Sequence, residues 1–136
     1  DEAAVVAAYR HFLPDARVAA FIEDMAAAYA WADVVVCRAG AMTVAELAAA
    51  GVAAILVPFP HAADDHQTAN ARFLEVRDGA LLVPQPEFTT VRLADLLTSL
   101  AANRSLLRRL AMNARACATT DATETVAQLC LEAAHA

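Results

Sequence analysis

Glycine is scarce. Only Gly40, Gly51 and Gly79 occur in 136 residues, so neither a GxGxxG dinucleotide fingerprint nor a P-loop is present, since both need closely spaced glycines. The only serines are Ser99 and Ser105, which excludes the GxSxG elbow of serine nucleophiles. Cys37, Cys117 and Cys130 are odd in number and too far apart for CxxC spacing. They suggest neither a zinc knuckle nor a disulfide framework and read as reduced, buried thiols. Basic residues are outnumbered, 10 against 16 acidic, for a net charge of −6. A nucleic-acid partner, whose phosphates demand a basic face, is therefore not expected. The longest uncharged apolar run, residues 47–60, has 14 residues and falls short of the roughly 20 needed to span a bilayer. The chain opens on Asp1-Glu2 without the basic and apolar regions of a signal peptide. It also opens without methionine, which suggests that it was cut from something larger.

What is present is apolar residues, at 60%, many of them alanine, a strong helix former that permits close packing. The length suits one domain or part of one, although it is small for a complete doubly wound sheet. Hydrophobic periodicity predicts a helix over 3–12, a strand over 18–22 and a helix over 24–32. A central strand over 33–37 follows, then a helix that Gly51 closes, a strand over 53–58, a helix over 65–77 and a short strand over 80–83. From Thr89 the pattern is helical, over 90–101, 104–117 with Asn103 as N-cap, and 122–135, where Asp121 fits an N-cap. Four strands alternating with helices, then a helical tail, make a Rossmann-like α/β layer with a parallel sheet and helices on both faces.

The stretch Asp33 to Gly51 organises the rest. Three consecutive valines, Val34 to Val36, suit a strand covered on both faces. Gly40 allows a sharp turn at its C-terminal end, and a helix starting there aims free N–H groups at the crevice where α/β sheets bind ligands, which favours an anion such as phosphate. Glu46 has two readings. Thr43-Val44-Ala45-Glu46 fits a capping box with Thr43 as N-cap; alternatively the Glu46 carboxylate accepts hydrogen bonds from a ribose diol. His61, Asp64, Asp65, His66, Gln67 and Asn70 form the densest polar cluster, either a binding site or an exposed helix start with Asp64 or Asp65 as its cap. The spacing of its histidines does not suit a metal. Arg104, Arg108, Arg109 and Arg115 give one helix a basic face, a solvated one or one that touches anionic lipid.

Three segments together carry a resemblance: Phe21-Ile22-Glu23-Asp24-Met25, then Ala32 to Glu46 with Arg38-Ala39-Gly40-Ala41-Met42-Thr43 at its centre, and Val57 to Ala71. With the Asp-Ala-Thr-Glu start of the last helix, they closely resemble the C-terminal half of the bacterial MurG family. These are the undecaprenyl-diphospho-muramoylpentapeptide N-acetylglucosaminyltransferases of glycosyltransferase family 28. The resemblance implies the donor-binding half of a two-domain GT-B fold, which moves N-acetylglucosamine from its uridine diphosphate carrier to lipid I with inversion.

Carried over residue by residue, the resemblance implies that the Ile22 backbone pairs with the uracil edge while Phe21 and Met25 flank it. Ala41, Met42 and Thr43 would meet the diphosphate and sugar, Glu46 the ribose diol, and Gln67 with Asn70 the sugar hydroxyls. Arg38, Gly40, Val44 and Ala45 belong to the same binding motif. No catalytic residue, metal or cofactor is expected in the chain. The partners implied are UDP-N-acetylglucosamine and, through an N-terminal domain with no counterpart in residues 1–136, the lipid I acceptor. No direct membrane contact is expected for this chain, and the parent would be peripheral on the cytoplasmic face of the inner membrane. The family's first strand of this domain, with its Gly-Gly-Ser turn, also has no counterpart, so the chain alone is expected not to transfer sugar, and either residues 18–21 or the central strand is expected to be left with an exposed edge. A related nucleotide-sugar epimerase and a non-catalytic module of the same fold are the alternatives.

Overall fold

The computed structural model describes residues 2–60 and 65–134. Its elements in chain order are α1 (Glu2–Phe12), α2 (Met25–Trp31), β1 (Val34–Cys37), α3 (Ala41–Ala50), β2 (Ala53–Leu56), α4 (His66–Glu75), β3 (Leu81–Leu82), a 3₁₀ turn (Gln85–Glu87), α5 (Thr90–Ala102), α6 (Arg104–Ala116) and α7 (Ala122–Ala134). The strands form one parallel sheet in the order β1-β2-β3, with Val34 opposite Ala53 and Ile55 opposite Leu81. Strand order follows chain order because each strand returns through a helix, as parallel neighbours require.

Side-chain alternation along the strands builds two cores. Ala54 and Leu56 of β2 point to one face, where Val44, Leu47, Ala48, Ala71 and Leu74 from α3 and α4 cover them together with Tyr29 of α2. Ala53 and Ile55 point to the other, under Leu100, Leu107 and Leu110 of α5 and α6. Leu47, Ile55, Leu56, Leu74 and Val83 are fully buried, each stabilising the fold by roughly 1.5–3 kcal/mol. The sheet is thus sandwiched between helices, as the sequence pattern implies. Two glycines seat these layers. Gly51 ends α3 at φ 65°, a left-handed conformation that suits a residue without Cβ, and Gly79 lies where a Cβ would come within 3.1 Å of the Ala114 backbone in α6.

Several expectations need correction. Residues 18–22 do not form a strand; Phe21 and Ile22 are left exposed. Strand propensity expresses fit to a half-buried pleated surface, and Ala19-Ala20 interrupts the run with weak strand formers, so nothing holds this segment on the sheet. β1 therefore stands at an edge, with Val36 40% exposed, and the strand covered on both faces is β2, whose four residues are all buried. The capping box is absent. Helix α3 begins at Ala41 with Gly40 as its N-cap, and the Val44 N–H donates to the Gly40 carbonyl at 2.9 Å, so Thr43 is already the third helical residue. Gly40 itself has φ −63° and ψ 146°, a backbone any residue adopts, so the sharp turn does not require glycine. Asp65 occupies the N-cap position of α4, but at φ 52° its side chain makes no cap hydrogen bond; Asp64 lies outside the described residues. Cys37 and Cys117 are half-buried, whereas Cys130 is exposed; all three are free thiols. The Asn103 cap holds, accepting from the Leu106 N–H at 3.0 Å, and Asp24 caps α2 by accepting from the Ala27 N–H at 2.8 Å.

Candidate functional site

The C-terminal ends of β1 and β2 lie side by side, with the start of α3 next to them. Because the N-cap of α3 is a glycine with no side chain to offer, the first-turn N–H groups of Ala41, Met42 and Thr43 are left for whatever sits there. With the helix dipole they make an anion-binding terminus. Met42 in this turn is 75% exposed. Val44 points the other way, 5% exposed in the core with its N–H already bonded to Gly40; its part is to seat the helix.

The polar residues around this turn brace the backbone. Asn70 Nδ2 donates to the Ala39 carbonyl at 3.1 Å, tying α4 to the residues just before α3. Gln67 Oε1 accepts from the Phe59 N–H at 2.9 Å, which uses the amide carbonyl and leaves its NH₂ for another partner. Arg38 Nη1 donates to the carbonyls of Val57 and Pro58, both at 3.2 Å, and its guanidinium lies 5.5 Å from the Phe59 ring centroid. These bonds join the loops after β1 and β2, so the three residues have part of their hydrogen-bonding capacity already committed.

One turn further along α3, Glu46 lines a groove of about 460 Å³ between α2 and α3 with Met25, Ala26, Tyr29, Ala30, Ala49 and Ala50, a size that holds small ligands. The Tyr29 hydroxyl donates to Glu46 Oε2 at 3.0 Å. Burial, then the neighbouring Glu46 carboxylate, push the Tyr29 phenol up to about 12. Cys37 at the end of β1 is pushed up to about 11 by burial. A second groove, about 480 Å³, runs along the other side of α3 and is lined by Ala41, Ala45, Asn70, Phe73 and Thr119 among others. Ala45 faces this groove.

The structure thus brings Gly40, Ala41, Met42, Thr43, Gln67 and Asn70 together beside the loops after β1 and β2, with Arg38 joining those loops, whereas Glu46 stands further along α3 in the α2–α3 groove. Met25 lines the same groove. Phe21 and Ile22 sit on the irregular segment before α2, 79% and 49% exposed. The residue that the sequence pattern does not single out is Tyr29. A tyrosine on the core side of a helix needs a partner for its hydroxyl, and that requirement is the signal that could have found it. Among the described residues no three His, Cys, Asp or Glu side chains gather as a metal site, while His61 and Asp64 of the metal reading lie outside them. No helix among the described residues is long and apolar enough to cross a membrane.

Comparison with known proteins agrees with this architecture. Residues 1–129 match the model of the glycosyltransferase family 28 C-terminal domain. The chain is 60% identical over 118 residues to the UDP-N-acetylglucosamine–N-acetylmuramyl-(pentapeptide) pyrophosphoryl-undecaprenol N-acetylglucosamine transferase of Shewanella amazonensis, covering 87% of this chain and 33% of that protein. It is 55% identical over 133 residues to the protein of the same name from Nitrosococcus oceani, covering 98% of this chain and 37% of that one. The crystal structure of Acinetobacter baumannii MurG superposes with a TM-score of 0.81 at 48% identity, over 91% of this chain and 37% of that one. The chain spans about a third of the length of the relatives it matches. With a family model matched along nearly its whole length, the chain belongs to the glycosyltransferase family 28 C-terminal domain family.

Proposed function

We propose that this chain is the donor-binding part of an inverting N-acetylglucosaminyltransferase that takes N-acetylglucosamine from UDP-N-acetylglucosamine and completes lipid II from lipid I. The observation that carries the reading is the junction of β1 and α3. A helix begins where a parallel strand ends, its first-turn N–H groups stand open to a diphosphate, and a carboxylate one turn on stands beside a groove of nucleoside size. In this reading Ala41, Met42 and Thr43 hold the diphosphate, Glu46 accepts from the ribose hydroxyls, and Met25, Phe21 and the Ile22 backbone meet the uracil. The Gln67 NH₂ and the Asn70 Oδ1, the amide groups not spent on bracing, read the sugar hydroxyls. Gly40 gives the ligand room, while Arg38, Val44 and Ala45 shape the surrounding backbone.

The lipid acceptor and the base that activates it belong to a further domain, with the whole enzyme peripheral on the cytoplasmic face of the inner membrane. The isolated 136-residue chain is then a binding module that does not transfer sugar. The test is a calorimetric titration of the chain with UDP-N-acetylglucosamine, with UDP as control, beside Glu46→Ala. Binding that weakens about tenfold or more in Glu46→Ala supports the reading, since a hydrogen bond to a charged group contributes about 1.5–3 kcal/mol. Equal affinity in both proteins removes Glu46 from the site, and lipid II formed by the chain alone refutes the division of labour.

A further inference from the structure

One polar contact joins the two helices that bound the nucleoside groove. The Tyr29 hydroxyl and the Glu46 carboxylate meet at 3.0 Å across 17 residues of chain, and both line the same groove with Met25. The two side chains differ in how they are held. The Tyr29 ring is 8% exposed and packs in the core with Val44, Leu47 and Ala48, and two torsions fix its hydroxyl in space. Glu46 is exposed and has three torsions to order before it can hold a ligand. We propose that Tyr29 is a positioning residue for nucleotide recognition, whose hydroxyl fixes the Glu46 carboxylate in the orientation that accepts both hydroxyls of the ribose.

This inference rests on the assignment of Glu46 to the ribose. The hydrogen-bond inventory permits it: an ionised carboxylate offers about four lone-pair directions. Tyr29 uses one on Oε2, leaving Oε1 and the rest of Oε2 for the diol. The donor is also durable. With its phenol pushed up to about 12, Tyr29 keeps its proton across the physiological range, so the carboxylate is held independently of pH there. Ordering Glu46 before the ligand arrives removes part of the entropic cost of binding, which is how preorganisation raises affinity. A plain strut between α2 and α3 is the competing role for the same bond, and the two make different predictions.

The experiment compares UDP with 2′-deoxy-UDP, by calorimetry on the 136-residue chain, in wild type, Tyr29→Phe, Glu46→Ala and the double variant. Phenylalanine keeps the buried ring, so Tyr29→Phe retains the core. Wild type is expected to prefer the ribonucleotide by about tenfold, the value of one good hydrogen bond. Tyr29→Phe weakens UDP about fivefold and 2′-deoxy-UDP less than twofold, and it has no further effect once Glu46 is alanine, because coupled residues are not additive. If Tyr29→Phe weakens both nucleotides equally while Glu46→Ala abolishes the preference, Tyr29 is a strut and the inference falls alone. If Glu46→Ala keeps the preference, or wild type shows none, the ribose assignment falls and takes the inference with it.

Discussion

Replacing Gly40 with alanine separates what the fold needs from what the ligand needs. Gly40 has φ −63° and ψ 146°, so alanine meets no backbone strain, and an added Cβ touches only Thr43 Oγ1 at 3.6 Å, an ordinary contact. Two small terms decide the stability. Alanine is the poorer N-cap by about 0.5–1 kcal/mol, while losing a glycine from the unfolded chain stabilises by about 0.4–1 kcal/mol. They nearly cancel, so the melting temperature should stay within about 2 °C of wild type for a chain of this size. The site is another matter. In the proposed reading a phosphate accepts from first-turn N–H groups at about 2.9 Å and would lie against the space that the new methyl enters, so displacing it should weaken UDP about tenfold. Thermal unfolding and a UDP titration of the same preparation read both quantities. A variant that melts and binds like wild type would place the anion elsewhere, and one that melts more than about 5 °C lower would mean that the fold needs the glycine after all.

Gly79→Ala should behave in the opposite way. Its Cβ would come within 3.1 Å of the Ala114 N and Cα and 3.3 Å of the Leu74 carbonyl, backbone that cannot swing aside, so a loss of about 1–3 kcal/mol is expected in urea unfolding; an unchanged midpoint would show that α6 can retreat from the turn. Alkaline conditions should destabilise the fold. The Cys37 thiol is raised from 9.0 to about 11 and the Tyr29 phenol from 10.0 to about 12, so above pH 9 the unfolded chain releases protons that the folded one keeps, and stability falls with pH. The Cys37 contribution is intact below pH 9 and lost by about 11, that of Tyr29 intact below 10 and lost by about 12. Cys37 is only half-buried, so its part amounts to about 1 kcal/mol. Equal urea midpoints at about pH 8 and about pH 10.5 would contradict the burial of both groups.

The fold was legible where packing and local chemistry agree. Ala53 to Leu56 reads as a buried strand from its unbroken apolar run, and it is the strand buried on both faces; Asn103 reads as a cap and is one. The failures share a cause. Val34 to Val36 carry the strongest strand signal in the chain, yet how many faces a strand buries depends on its neighbours, and β1 stands at the edge. Residues 18–22 have the composition of a marginal strand and no surface to complete it. The Thr43 box failed because its residues fit the rule at a helix start three residues too late: the helix had already begun at Ala41, with Gly40 as its N-cap. Tyr29 was missed because a one-dimensional pattern shows which side chain is buried but not which carboxylate its hydroxyl reaches 17 residues away.

These differences bear on how the proposed site divides. The helix start at Ala41, Glu46 on α3 and Asn70 on α4 stand on elements whose inner faces include Leu47, Ala48, Ala71 and Leu74, all nearly or fully buried. Their positions are set by the same packing that stabilises the sheet, so the groups proposed to recognise diphosphate and ribose are preorganised before a ligand arrives. Phe21 and Ile22 are different: they lie on an irregular segment, both exposed, with neither core anchored beneath them. Base recognition through them requires ordering a stretch that the core does not order. Ordering costs about 1–2 kcal/mol per backbone residue, and the contacts to the base must offset it. In the proposed reading the nucleotide is therefore held first by its charged and hydroxyl-bearing end, and discrimination among bases is the part of recognition that this chain supports least.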